Sequence, residues 1–362
     1  MTRGRAPFLN NMDILKIYYK KILRFRRDLD KIAELSWQEE KTKKYIIKNL
    51  GKDYYWTKKT AVIYKIGCGI PVFFRAELDA LPTRRGPRHV CGHSAHSAAL
   101  MGAYLYFKKH PVRDFAVYFV FQPSEESFPS GADFISKNFK EINKCRAGFG
   151  FHVLPNFRLG ELASPVFAAG DYFEIRITGR SGHIKDKNKR RGGDAILIAG
   201  KLAKKINADK KENFVINVGL IKGGEAPNKI AGSAFLAGDV RTLAASGSVS
   251  ARLWLSDLCH KLEKQNFASK VNLRYCKGYP LFRNDKKIFE KIKKIFRIKK
   301  EVKTFGTEDF SMYRPPKIFL LIGVGKSAEL HTDKFYVRNG VITKLFEYWV
   351  KIINNLEIIV GL

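Results

Sequence analysis

Acidic residues are scarce in this chain: 34 Asp and Glu stand against 67 Lys and Arg, a formal charge of +33. Cysteine is scarcer still, with five residues scattered at positions 68, 91, 145, 259 and 276. A set that is odd in number and dispersed excludes a disulfide framework and fits a reducing compartment. No apolar run approaches the roughly 18 to 20 residues of a membrane span. The opening MTRGRAPFLNN also lacks the apolar segment of a secretory signal, so a cytoplasmic protein with no membrane partner is expected. Internal repeats and low-complexity tracts are absent. What is present is a globular composition, 45% hydrophobic and 13% aromatic over 362 residues. At roughly 150 residues per domain that length suggests two domains.

The excess of base raises nucleic acid as a partner, but its distribution points elsewhere. The densest run, Asp285–Lys300 (DKKIFEKIKKIFRIKK), carries Ile288, Phe289, Ile292, Ile295 and Phe296 at helical spacing. Its lysines read as the solvated face of an amphipathic helix. No basic cluster falls in an aromatic RNA-binding strand or a helix-turn-helix pattern, and no nucleic-acid partner is expected.

The spacing predicts an opening helix over Met12–Ile32 behind a loose tail. Apolar strands at Ala61–Ile66, Val72–Leu78, Phe115–Phe121 and Gly148–Val153 then alternate with helices at Ser97–Lys108 and Ala132–Ile142. Strands this apolar belong to a sheet covered on both faces. Beyond Gly160 the rhythm becomes strand, helix, strand, strand, helix, strand: Phe173–Thr178, Asp194–Ile206, Phe214–Leu220, Phe235–Val240, Val249–Lys264 and Lys270–Tyr275. That order is ferredoxin-like. A strand at Lys317–Val324 and a helix at Gly340–Leu356 then resume the first pattern. The expected architecture is an α/β domain, residues 1–169 and 278–362, whose mixed sheet is flanked by helices. It is interrupted by a smaller ferredoxin-like α+β domain, residues 170–277.

Polar residues gather just past the carboxyl ends of the predicted strands, where open α/β sheets collect ligands. The second strand runs into Glu77 and Asp79, Gln122 to Glu126 follow the third, and His152 closes the fourth. His89–His96 (HVCGHSAH) packs three histidines and a cysteine into eight residues, and His331 follows the last strand. Cys91, His93, Glu126, His152 and His331 form a donor set of one thiolate, one carboxylate and three imidazoles, suited to Zn2+, Mn2+, Co2+ or Ni2+. Cys91 and His93, two apart, close on one ion if the chain between them is extended. With Glu126 on the metal, Glu125 is free to take a proton from an activated water and return it to a leaving amine.

Taken in order, RAELDALP (Arg75–Pro82), HVCGHSAH (His89–His96), FQPSEES (Phe121–Ser127), GFHVLP (Gly150–Pro155), GGEAPNKI (Gly223–Ile230), GDVRT (Gly238–Thr242), GTEDF (Gly306–Phe310) and LHTDKF (Leu330–Phe335) resemble the successive motifs of the metal-dependent aminoacylase and carboxypeptidase superfamily. Within it they are most similar to the amidohydrolase branch of hippurate hydrolase, the auxin-conjugate hydrolases and N-acetyldiaminopimelate deacetylase. The resemblance implies hydrolysis of an N-acyl amino acid or related small amide at a pair of divalent ions, Zn2+ or Mn2+ foremost. The ions would be held by Cys91, His93, Glu126, His152 and His331, with Glu125 as general base and acid. It implies that Asp79, Ser94 and His96 back the donors. It further implies that the inserted domain is a lid that forms a homodimer, that its His183 polarises the scissile carbonyl, and that Asn228 and Arg241 hold the substrate carboxylate.

Three stretches depart from the pattern. Ser94 stands where relatives have Asp in Cys-Gly-His-Asp; Leu29–Glu34 reads LDKIAE where they have Leu-His-x-x-Pro-Glu, so Asp30 replaces a histidine and Ala33 a proline; and the turn after Gly182, followed in relatives by His-Pro, is here the basic Lys185–Arg191. A weakened site for one ion is the expected consequence. The alternative reading is an impaired relative that binds metal or a small ligand without turnover.

Overall fold

The computed structural model describes residues 11–185, 193–208, 212–266 and 269–361. The expected tail before residue 11 and the basic stretch from residue 186 to 191 lie outside them. The chain divides into two compact units, Met1–Pro165 with Arg283–Val302 and Asp309–Leu362, and Val166–Phe282 with Lys303–Glu308. A reading in chain order places Lys303–Glu308 in the first domain. The second unit claims it through backbone bonds, since the Ala168 N–H donates to the carbonyls of Thr304 (3.2 Å) and Gly306 (3.0 Å).

In the first unit a mixed sheet runs in the order Trp56–Lys58, Ala61–Ile66, Phe115–Gln122, Ile70–Glu77, Ala147–Leu154, Lys317–Gly323 and Leu162–Phe167. Its inner strands pair in parallel, Phe115–Gln122 with Ile70–Glu77, then Ala147–Leu154, then Lys317–Gly323. They are buried on both faces, which is why they read as unbroken apolar runs rather than alternating ones. On one face Phe74 stacks on Phe149 (4.9 Å), and Trp349, from the Asn339–Ile353 helix, meets Phe74 at 5.3 Å and Phe151 at 4.5 Å. On the other face Phe73 packs on Phe310 and Tyr313.

The opening helix, Asn11–Lys31, buries Leu15, Tyr18, Ile22, Phe25 and Leu29, spaced alternately three and four apart as one helical face demands. Ile288, Phe289, Ile295 and Phe296 of the Lys286–Phe296 helix pack on the same core around buried Ile292, so the densest basic run does expose one face of an amphipathic helix. The helix expected over Ala132–Ile142 breaks instead at Phe139 into Gly131–Asn138 and a 3-10 turn at Lys140–Lys144.

Gly148 shows how closely this sheet is filled. A Cβ there would lie 2.1 Å from the Phe73 ring. Gly148→Ala is therefore expected to destabilise the fold by about 1 to 3 kcal/mol through overpacking, read as a lower urea midpoint at unchanged slope.

The second unit is built on a four-stranded antiparallel sheet ordered Val215–Gly223, Ser233–Thr242, Ala169–Thr178, Lys270–Tyr279. With helices Ala195–Ala208 and Gly247–Gln265 between the strands in sequence, this is the ferredoxin-like arrangement expected from the chain order. Phe173, Ile175, Ile177, Leu202, Leu236, Val240, Leu255 and Val271 form its separate core.

No described helix is long and apolar enough to cross a membrane.

Candidate functional site

The carboxyl ends of the first unit's parallel strands deliver the site. His93 begins the His93–Lys109 helix, four residues before the expected start, because Gly92 takes a left-handed backbone (φ 94) and turns the chain straight into it. Cys91 and His93 are thus brought together by a glycine turn and not by extended chain. Ser124, also left-handed (φ 48), turns the strand end so that Glu125 and Glu126 follow. Buried Glu39 fixes that turn, accepting from the Ser124 N–H (2.9 Å) and from the Thr60 hydroxyl (2.8 Å). Burial above all lifts its carboxyl to about 7. His331 is left-handed as well (φ 64), and its N–H is tied to the Val90 carbonyl at 3.0 Å. Non-glycine residues in this region store strain, which is commonest at functional sites.

Cys91 is the centre of the cluster. Its Sγ lies 3.2 Å from His152 Nε2 and 3.1 Å from His331 Nε2. Ligand atoms of Cys91, His93 and His152 lie within 4.8 Å of one another, as do those of Cys91, Glu126 and His331 and those of His93, Glu125 and Glu126. His93 Nε2 is 3.8 Å from an oxygen of each glutamate, and His331 Nε2 is 3.6 Å from Glu126 Oε1.

Asp79 is fully buried and ties two of these residues together. Its backbone carbonyl meets His93 Nδ1 at 2.9 Å, while its Oδ2 accepts from the Glu126 N–H (3.0 Å) and the Ser36 hydroxyl (2.7 Å). With Nδ1 so engaged, His93 turns Nε2 toward the glutamates.

The donor set fits a divalent cation. His93 Nε2 and Glu126 Oε1 are buried without a hydrogen-bond partner, a cost that coordination removes. Protonation in the metal-free chain tells the same story. Burial, then Glu126 and Glu125, push the Cys91 thiol well above its ordinary value. Burial works against a charged His93, yet Asp79, Glu77 and Glu126 outweigh it and raise that imidazole to about 10. Burial, aided by His96, keeps His152 neutral and ready to donate a lone pair.

Two of the departures from the expected motifs touch each other. The Ser94 hydroxyl donates to Asp30 Oδ1 at 2.6 Å, and Arg26 Nε holds Asp30 Oδ2 at 3.0 Å. A carboxylate therefore still stands beside the start of the His93–Lys109 helix, supplied by the opening helix. Ser94→Asp would set two carboxylates at that contact. It is expected to lower the melting temperature by several degrees and to add no activity, and Asp30→Asn in the same chain is expected to recover most of the loss.

The remaining expected residues lie in the second unit. His183, exposed, pairs with Lys229 across a two-residue ladder, and the neighbouring Ile184 N–H donates to the Asn228 carbonyl at 3.0 Å, which brings His183 and Asn228 side by side in the backbone. Arg241 is instead engaged by Asp239 through Nε and Nη2, and by the Thr307 hydroxyl at 2.8 Å through Nη1.

Comparison with known proteins agrees with this geometry. Residues 73–355 match the model of peptidase family M20/M25/M40. The chain belongs to peptidase family M20/M25/M40. Among curated M20 relatives, the N-acetyldiaminopimelate deacetylase of Leuconostoc mesenteroides is 28% identical, covering 88% of this chain and 92% of its own. That of Geobacillus sp. is 30% identical, and the chain covers 65% of its length. Solved structures share the fold: a putative aminohydrolase of methicillin-resistant Staphylococcus aureus (TM-score 0.82, 23% identity, 95% of this chain and 97% of that one), and a Bacillus subtilis protein described as a dinuclear metal binding peptidase from the M20 family (TM-score 0.80, 24%, 95% and 100%).

Sequence reading missed Glu39 and Ser36, which lie in a loop with no motif. Arg75 and Gln122 fall in the quoted motifs but gain no role from them, and both sit in apolar strands. A charged residue amid IPVFF was the available signal, since an arginine buried in a strand must be paired.

Proposed function

We propose that this chain is a metal-dependent hydrolase of small linear amides, cleaving N-acyl groups from amino acids. The observation that carries the reading is the pair of donor triads that share Cys91, with Glu125 beside them but outside both. Cys91, His93 and His152 would hold one divalent ion, and Cys91, Glu126 and His331 the second, Zn2+ or Mn2+ foremost. Such a pair supplies Lewis acidity toward an amide carbonyl and toward water. Glu125 takes the proton of the attacking water as its oxygen bonds to the carbonyl carbon, then gives it to the amine as the C–N bond breaks. The products are a carboxylate and a free amine.

The second unit supplies the substrate contacts in this reading. Arg241 has five N–H donors, of which three are taken by Asp239 and Thr307, so two remain for a substrate carboxylate beside the Asn228 amide. His183, exposed on its short strand, is assigned to the scissile carbonyl. The Val215–Gly223 strand is one edge of the sheet and exposes Val215, Leu220 and Ile221, and the preceding helix, Ala195–Ala208, exposes Ile196 and Leu197. An apolar edge of this kind supports pairing with a second copy, making the unit a lid that dimerises. Five unpaired cysteines support a cytoplasmic setting. The relatives' named activity makes N-acetyldiaminopimelate the first substrate to try, and the positive charge of the chain suits its two carboxylates.

Metal content per chain, measured on protein purified without chelator and combined with hydrolysis of an N-acyl amino acid panel, tests the reading. About two ions and turnover abolished by chelation, then restored by Zn2+ or Mn2+, are expected. Turnover that survives complete metal removal would overturn it.

A further inference from the structure

Behind His152 lies a chain of buried polar groups that no step of the proposed hydrolysis uses. Arg75 and Glu77 project from the same side of the Ile70–Glu77 strand, two residues apart, and both are 0% exposed. The Arg75 guanidinium is bonded to Glu77 and Asp309, and its Nε donates to Gln122 Oε1 at 2.9 Å. Burial opposes a charged Glu77, but Arg75 and His96 prevail and keep it ionised. Its Oε2 meets His96 Nδ1 at 2.8 Å. His96 Nε2 in turn faces the Val153 N–H at 3.1 Å.

A backbone N–H can only donate, so His96 Nε2 carries no proton and Nδ1 must carry the one given to Glu77. The same residue continues the relay through its other peptide group, because the Val153 carbonyl meets His152 Nδ1 at 2.8 Å. A carbonyl can only accept, so the proton of neutral His152 sits on Nδ1. Its Nε2 is left bare, 3.2 Å from Cys91 Sγ. Glu77, His93 and His96 also lie close enough together to suggest a further metal site. The bonds just described occupy both nitrogens of His96 and exclude it as a ligand.

We propose that Arg75, Glu77 and His96 are positioning residues for His152, fixing the backbone of Val153 and through its carbonyl the tautomer and direction of the His152 ring before any ion arrives. The proposal rests on the reading of His152 as a metal donor. Each link is set by its neighbour: Arg75 holds the charge of Glu77, Glu77 selects the His96 tautomer, and His96 anchors Val153, whose carbonyl selects the His152 tautomer. A carboxylate three bonds away from the donor thereby decides which nitrogen the donor offers.

Long-range proton–nitrogen correlation of the histidine rings in 15N-labelled, metal-free protein reads this directly. In the native chain, His96 and His152 are both expected as neutral rings protonated at Nδ1. Finding either protonated at Nε2 overturns the proposal without any variant. His96→Phe removes the acceptor for the Val153 N–H, and Glu77→Gln removes the charge with its shape kept. In whichever of the two folds, His152 is expected to become a tautomer mixture, and Zn2+ affinity, titrated by competition with a chromogenic chelator, is expected to fall about 10- to 100-fold at one of two sites. A folded variant with a single His152 tautomer and Zn2+ affinity within twofold of native refutes it. None of these readouts needs turnover, so a failure of the hydrolase reading would show separately, as native metal binding without amide cleavage.

Discussion

Glu125→Gln is expected to lower kcat by about 10^2- to 10^4-fold, the range for a lost general base, while metal content per chain stays at the native value. The amide keeps the size of the acid and removes only its ability to take a proton. Glu125 also lies within reach of His93 and Glu126, but it belongs to neither of the triads built on Cys91, so ions held there lose no donor. Glu126→Gln is the instructive contrast. Glu126 shares a triad with Cys91 and His331, and its Oε1 is buried without a hydrogen-bond partner. Its amide is expected to cost bound metal as well as rate. Steady-state kinetics with metal analysis on the same preparations separates the two. Equal loss of metal in both variants would mean that the roles of the adjacent glutamates are wrongly divided.

Metal loading is expected to release about two protons near pH 7.5. The metal-free chain holds one on the Cys91 thiol, which burial and two glutamates keep protonated, and one on His93, raised to about 10. Coordination requires both to leave. His152, already neutral, contributes none. Apparent affinity for the ion between Cys91, His93 and His152 should therefore climb roughly 100-fold per pH unit, tenfold for each displaced proton. Stability of the metal-free fold moves the other way. A histidine raised from 6.5 to about 10 contributes fully below 6.5, and that contribution fades as pH climbs through 10. Calorimetric titration with Zn2+ in two buffers of different ionisation enthalpy counts the protons. A value near zero would show that the thiolate and neutral imidazole are preformed.

How much of this was legible follows from what each residue answers to. Helices with a 3.6-residue stripe, such as Asn11–Lys31, and strands buried on both faces, such as Phe115–Gln122, obey local spacing and can be read directly. The ferredoxin-like order of the second unit was legible for the same reason. The start of the helix at His93 was not, because it depends on the left-handed Gly92, and a glycine between a cysteine and a histidine permits several conformations. The five donors stood out by chemical type. Their grouping into two triads around Cys91 is a property of the folded chain, since Cys91 and His331 are 240 residues apart. The exchange between Ser94 and Asp30 looked like two losses, and only the contact between the two helices that carry them makes it a single rearrangement. The motif that carries Arg241 assigns it to a substrate carboxylate but does not show that Asp239, two residues away on the same strand, occupies two of its nitrogens.

The division of the chain into two units also fixes an order of events during synthesis. Residues 166–282 and 303–308, with a core of their own, all leave the ribosome before Trp349 does. Until that tryptophan arrives, Phe74 and Phe151 lack the ring that covers them. The inserted unit can therefore fold while the unit that surrounds it is still waiting for the Asn339–Ile353 helix, with an apolar sheet face open to solvent. Half-finished chains are most exposed to aggregation in that interval, and the metal centre, which needs His331, is among the last features to be completed. A chain stopped after residue 338 should retain the fold of the inserted unit and lose that of the unit surrounding it.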